Sequence, residues 1–347
     1  MKTTGFKFIV VVLALCGLWG GVFAGEDIGE KRTFSAMHAV VEIIIPEKSG
    51  SEIAPARLAD SAEEIIRKLD GLLSPKGELS DVRRLNASAP GEWIDVDSMT
   101  LAVVLHALRW HRLSDGLFEP TVAPLKRLFR FSGKTLERWP SEEELEEAKR
   151  AIGADKLLVD ETTCRLSWAQ PGMSLDLGAI AKGFAADMAA EHLQAVGVVN
   201  ALVNVGGEMR VLGSKPGEPP SPWQISIKSP RKNAEPLLAE AHDRALATSG
   251  DYESYFEYEG KRYSHIINPV TGAPLQELVA GVTVIHPDSA THADALATLL
   301  SILGHAKAVE FFKRNADAPE LRGVEAIFFE VDAAGAVDVK RAAVPAE

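Results

Sequence analysis

Cysteine is almost missing from this 347-residue chain, which contains two, Cys16 and Cys164. Cys16 sits in an apolar leader, so removal of that leader would strand Cys164 as the single thiol and exclude an intramolecular disulfide. Stability must then come from a buried core, which a chain of this length can supply. Positive charge is scarce as well: 37 Lys and Arg stand against 49 Asp and Glu, for a formal net charge of −12. No long basic cluster offsets that balance, which argues against a nucleic-acid partner, because phosphate backbones demand grouped cations. Long hydrophobic runs are lacking beyond the leader, where Gly, Asp or Asn interrupts each apolar window before it reaches the roughly 20 residues of a bilayer span. There is no internal repeat and no linker long enough to force two independent domains.

What is present begins with the leader itself. Lys2 and Lys7 precede an apolar run from Phe8 to Trp19, and Val22-Phe23-Ala24 offers signal peptidase its small residues. Residues 1–24 therefore read as a cleaved signal peptide and residues 25–347 as a mature periplasmic protein. The alternative, a membrane-anchored lipoprotein held through Cys16, is disfavoured by the bulk of Leu15 just before it.

Periodicity predicts a first strand from Ala39 to Pro46 and an amphipathic helix from Leu58 to Leu73. A second helix is expected from a Ser98 cap to His111, and a polar one from Ser141 to Ile152 behind the capping box Ser141-Glu142-Glu143-Glu144. Lys156 to Trp168 reads as a hairpin, and Asn200 to Leu212 as a strand interrupted by Gly206-Gly207. Short strands follow at Trp223–Lys228, Arg244–Thr248, Tyr252–Tyr258, Arg262–Ile267 and Gly281–Ile285, then a helix over Ala293–Leu303. Strands in hairpin-like succession with helices inserted in groups define an α+β fold, largely an antiparallel sheet core with inserted and flanking helices.

The richest stretch is Ser174-Leu175-Asp176-Leu177-Gly178-Ala179-Ile180-Ala181-Lys182-Gly183. Met173, Leu175 and Leu177 alternate as a strand does, and a helical spacing begins near Ala179. A helix start there would aim free N–H groups and a dipole at an anion, with Lys182 adding a full charge. The competing reading makes Asp176 a helix cap and Lys182 a solvated surface group. Further on, Asp294 and Thr298 are four apart, so on a helix their oxygens share one face, as a hard cation such as magnesium requires. Against this, Thr291-x-x-Asp294 itself resembles a capping box, and Thr298 could bond back to the backbone. His265, on a strand that ends in an Asn268-Pro269 turn, could orient a ligand, move a proton, or simply be hydrogen-bonded structure. The turn Asp115-Gly116-Leu117-Phe118-Glu119-Pro120-Thr121-Val122 could present main chain to a flat ring or merely connect a helix to a strand.

These pieces fall into one ordered pattern. Met37, the Asp115–Thr121 turn, Asp176–Gly183, Asn204-Val205-Gly206-Gly207-Glu208, Ala247-Thr248-Ser249-Gly250-Asp251-Tyr252, His265–Gly272 and Ala293–Thr298 together closely resemble the ApbE family, the FAD:protein FMN transferases. The resemblance implies an enzyme that binds FAD and Mg2+, splits the FAD pyrophosphate, and transfers FMN to a threonine or serine of an exported acceptor protein, such as a subunit of a membrane-bound redox complex. By position it assigns Met37, Leu117, Phe118, Glu119, Asp176, Lys182, His265 and Ile266 to FAD, and Ala179, Asp294, Ala297 and Thr298 to the metal. His265 and Asp294 would serve the chemistry itself. The chain departs from the family's pattern at Met37-His38-Ala39, where Met-Gly-Thr is usual, at Ser74-Pro75-Lys76, where Ser-Thr-Tyr is usual, and in having Glu119 for aspartate. An FAD pyrophosphatase and a non-catalytic periplasmic FAD-binding protein are the alternatives on the same residues.

Overall fold

A computed structural model describes residues 28–129, 131, 135–217, 219–229, 236–250, 255–276, 279–331 and 336–346. The leader read at residues 1–24, and Asp251 and Tyr252, lie outside them. At its centre is an eight-stranded sheet ordered Ile28–Ala36, Ala39–Pro46, Ala201–Val205, Glu208–Leu212, Arg244–Gly250, Val279–His286, Glu325–Val331 and Val337–Ala343. All neighbours are antiparallel, and spatial order follows chain order. Everything else is therefore an insertion between two strands that pair with each other, which is the α+β arrangement expected from the sequence.

Both faces of this sheet are covered. Ile43, Ile45, Val203, Val282 and Val284 pack under helices, whereas Ile44, Leu202, Val211 and Leu246 pack under the hairpin Trp223–Ile227/Leu237–Ala241 through Trp223 and Ile225. Two buried faces explain why Ile43 to Pro46 carries no polar alternation. On the helical face lie Pro55–Leu73 and two central helices, Ala181–Ala195 and Ala290–Arg314. The second central helix has the length and apolarity of a membrane span, contrary to the reading that every apolar window breaks too soon. Leu296, Leu299 and Leu300 are fully buried in the core, however, and Gly304 breaks the helix with φ 69° and ψ 168°, one residue beyond the expected end at Leu303.

A smaller aromatic unit stands beside the sheet. Phe256, on strand Tyr255–Tyr258, stacks on Phe129 at 5.9 Å and on Tyr263 at 5.3 Å, and Trp139 meets Phe129 edge-on at 5.2 Å. Such ring pairs add to area burial and fix the strand Lys261–Ile267, which carries His265 and Ile266.

Several sequence expectations shift by local chemistry. Asp97, not Ser98, caps the helix Ser98–Leu113, accepting from Met99 N at 2.9 Å. Ser141 and Glu144 form the full capping box of helix Glu142–Arg150, as expected. Asn200–Leu212 is two strands joined through Gly206-Gly207. Residues 173–177 form no strand: the Asn86 side chain, not a neighbouring strand, bonds both Leu175 N at 2.7 Å and Leu175 O at 3.0 Å.

Candidate functional site

The two central helices meet near their N-termini, and glycine decides how closely. A Cβ on Gly183 would stand 2.1 Å from the Ala290 carbonyl oxygen and 2.8 Å from Asp294 Cβ. With no side chain there, Gly183 N donates to Asp294 Oδ2 at 3.0 Å across the helix pair. Asp294 is buried and has no capping role, because Ser289 caps the second helix by accepting from His292 N at 3.1 Å. Thr291 is likewise turned away from Asp294: its hydroxyl donates to Asp187 Oδ2 at 2.7 Å. Asp187, buried on the first helix, also accepts from Ala290 N, Thr291 N and Ser289 Oγ at 2.8 to 2.9 Å. It pins the start of one helix to the middle of the other, and thereby sets where Asp294 points.

Behind that junction three histidines cluster. His292 lies 5.4 Å from His106 and 5.5 Å from His286 between ring centroids, and its Nδ1 accepts from Trp110 Nε1 at 3.1 Å. Burial first, then the facing His286, His106 and Arg109, pushes His292 down to about 3. Burial likewise pushes His286 down to about 4, against the opposing pull of Asp288 and Asp187. The cluster is neutral at neutral pH and extends the core rather than the site.

In front of the junction is a cleft with two lobes. One holds a cavity of about 160 Å³ and is lined by Ala179, His265, Ile266, Asp294 and Thr298, among others. The other holds a cavity of about 680 Å³ and is lined by Met37, His38, Pro75, Lys76 and Asn86, among others. Lys126, Asp176, Gly178 and Lys182 line both and form the waist between them.

Ion pairs pre-set this waist. Asp176 accepts from Lys126 Nζ at 2.8 Å through Oδ2 and from Gly178 N at 2.9 Å through Oδ1. Burial alone would raise its carboxyl, but Lys126, the Gly178 N–H and the nearby His265 together hold it below the usual carboxylate range. The Gly178 bond closes a tight turn ahead of the helix, so Asp176 does not cap the helix itself, which begins two turn residues later at Ala181. Lys182 Nζ lies 2.8 Å from Glu208 Oε2, a carboxylate almost wholly buried.

The structure gathers most of the residues singled out in the sequence. Leu117, Phe118 and Glu119 line the first lobe as a turn between the helices Ser98–Leu113 and Ala123–Phe129, not between a helix and a strand. Phe118 is buried, and Glu119 spends its carboxylate on Thr121 N and Oγ1 at 2.8 and 2.6 Å, so this turn offers mainly backbone to the cleft. Thr298 Oγ1 lies 3.3 Å from Ser249 Oγ. Ala297 is fully buried behind the wall, and its carbonyl accepts from Ser301 Oγ at 2.8 Å. Lys126 and Asp187 escaped sequence reading. Lys126 has no motif around it, and Asp187 reads as one more helix residue until its partners, over 100 residues on, are known.

A model of the ApbE family matches residues 37–328, and the chain belongs to that family. A FAD:protein FMN transferase of Vibrio cholerae is 35% identical over 262 residues, covering 74% of this chain and 77% of its own. One of Treponema pallidum is 32% identical over 350 residues, covering 95% and 93%. The crystal structure of the Pseudomonas stutzeri flavinyl transferase ApbE in its apo form superposes with a TM-score of 0.78 at 32% identity, covering 92% of this chain and 96% of that one.

Proposed function

We propose that this chain transfers FMN from FAD to a protein, using Mg2+, with a threonine or serine hydroxyl of an exported protein as acceptor. The observation that carries the reading is the two-lobed cleft pinched at a waist of two lysines, with Asp294 and Thr298 in the adjoining wall. Two lobes joined through a waist that holds two lysines, each paired with a carboxylate, suit an elongated ligand with a ring system at each end and a pyrophosphate between.

The donor set fits magnesium. Asp294 offers a carboxylate, Thr298 a hydroxyl and Ala179 a backbone carbonyl, all hard oxygens around one lobe. Among the described residues no group of three His, Cys, Asp or Glu could hold a metal, which disfavours a zinc-type site. Ala297, whose carbonyl already serves Ser301, is the weakest member of the expected metal set. When bound, the ion would neutralise charge on the pyrophosphate.

The residues of the chain do the rest by position and charge. Lys182 binds the phosphates, Asp176 keeps the waist ordered, and the Leu117–Glu119 backbone and Ile266 flank a ring. The acceptor hydroxyl oxygen attacks the FMN phosphorus, the phosphoanhydride bond breaks, and AMP leaves. We assign the hydroxyl proton to His265, which lines the same lobe and shares the electrostatic field of Asp176. The sequence of residues 1–24 supports export of this chain, and with it acceptors outside the cytoplasm, including subunits of membrane-bound redox complexes.

The test is to incubate the mature protein with FAD, Mg2+ and a candidate acceptor, then look for covalent flavin fluorescence on a denaturing gel together with released AMP. AMP with free FMN and no labelled protein would mean hydrolysis. FAD binding without AMP would mean carriage only.

A further inference from the structure

We propose that Lys126 is a second phosphate ligand, working opposite Lys182 at the waist; this rests on the reading above that the substrate is FAD. The two lysines come from different helices of the long insertion between strands Ala39–Pro46 and Ala201–Val205, Lys126 on helix Ala123–Phe129 and Lys182 on the first central helix. Each is held against a carboxylate, Lys126 to Asp176 and Lys182 to Glu208, both at 2.8 Å. Both line both lobes, so a ligand that occupies the two lobes together would bring its linker past both lysines.

Packing gives no reason for a lysine at position 126. Its neighbours Leu125 and Phe129 are fully buried and carry the helix's contribution to the aromatic unit, whereas the Lys126 side chain is 27% exposed and turned to the cleft. Its present partner can release it, because Asp176 keeps a second bond, from Gly178 N, when Lys126 moves. An ammonium shifting from one oxyanion to another keeps its charge paired throughout, and a charge-assisted bond to phosphate is among the stronger ones available. The Lys126–Asp176 pair is thus a stored cation: Asp176 holds the ammonium in place while the cleft is empty and yields it when a pyrophosphate enters. This gives Asp176 a role that its turn geometry alone does not, and it divides phosphate recognition between two helices.

Titrating FAD, ADP and riboflavin into the wild type, Lys126→Met and Lys126→Arg tests the assignment, with thermal melting to verify the fold. Lys126→Met should weaken FAD and ADP by tenfold or more and leave riboflavin unchanged, and Lys126→Arg should recover most of the loss. Lys126→Gln, read the same way, covers the case in which methionine disturbs the fold. Unchanged FAD affinity would overturn the proposal, and so would an equal loss for riboflavin, which would mark Lys126 as pocket support instead. A wild type that binds no FAD would overturn the functional reading first, and this inference with it.

Discussion

The two walls of the cleft are built on different principles. On the helical wall, Asp294, Gly183 and Asp187 are buried and interlocked across two helices, and each polar atom is set by backbone more than 100 residues away in sequence. On the loop wall, Met37-His38, Ser74-Pro75-Lys76 and Leu117-Phe118-Glu119 come from separate turns stabilised close to home. The Met37-His38 turn, for instance, closes the hairpin that pairs Ala36 with Ala39. Interlocked parts fail together, whereas local turns change one at a time. All three departures read in the sequence, at Met37-His38-Ala39, Ser74-Pro75-Lys76 and Glu119, fall on the loop wall.

Gly183→Ala should break the contrast most violently. The added methyl meets backbone, not a flexible side chain, so the helices must separate or the turn at Ala290 must move. Overpacking of this kind costs about 3 kcal/mol or more. A drop in melting temperature of at least about 6 °C, with loss of flavin transfer, is expected, and a variant that melts like the wild type would show the helix junction to be soft. Asp294→Asn comes next. It preserves an acceptor for Gly183 N while removing the charge, so the fold should hold while transfer falls on the order of 10²–10³-fold, as when a preorganised electrostatic group is lost. Full activity at low Mg2+ would restrict Asp294 to holding the helices together.

The same contrast governs what the sequence discloses. Asp294 and Thr298, four apart on a helix, and Lys182 beyond a Gly-rich turn can be read because their geometry is local. The antiparallel core is legible for the same reason, each strand pairing with its successor in the sheet. Lys126 and Asp187 are illegible because their meaning lies in partners 50 and more than 100 residues distant. The segment 173–177 misleads outright: its alternation is real, but Asn86 supplies the bonds a strand would have supplied. Ordered motifs reach further than periodicity because they carry these long-range pairings implicitly.

Acid should attack the helical wall first. His292 and His286 have their pKa values depressed in the fold to about 3 and about 4, against an ordinary value near 6.5. Between those limits the unfolded chain binds more protons than the folded one, so stability rises with pH there. It should be complete above about pH 6.5 and decline as pH falls towards 4 and below, because protonating His292 abolishes the acceptor that Trp110 uses. Denaturant midpoints measured from pH 7 to 4 check this, and His292→Phe should flatten the slope. A slope unaltered by that substitution would assign the acid sensitivity elsewhere.

The smallest effect is expected at His38, on the loop wall. Met37 and His38 hold φ values of 53° and 59°, the left-handed region in which a two-residue hairpin turn favours glycine at its second position. Relief of strain in His38→Gly contributes roughly 1 kcal/mol to the folded state. The freer glycine backbone also stabilises the unfolded chain, by about 0.4–1 kcal/mol. These terms nearly cancel, so the melting temperature should move by no more than about 2 °C, far less than for Gly183→Ala. His38 is exposed at the rim of the second lobe, and FAD affinity should accordingly change less than about threefold. Calorimetry and an FAD titration on this one variant decide the matter: a tenfold loss of affinity with an unaltered melting temperature would make the His38 ring a binding group, and would mean that the loop wall specifies the ligand as strictly as the helical wall fixes Asp294.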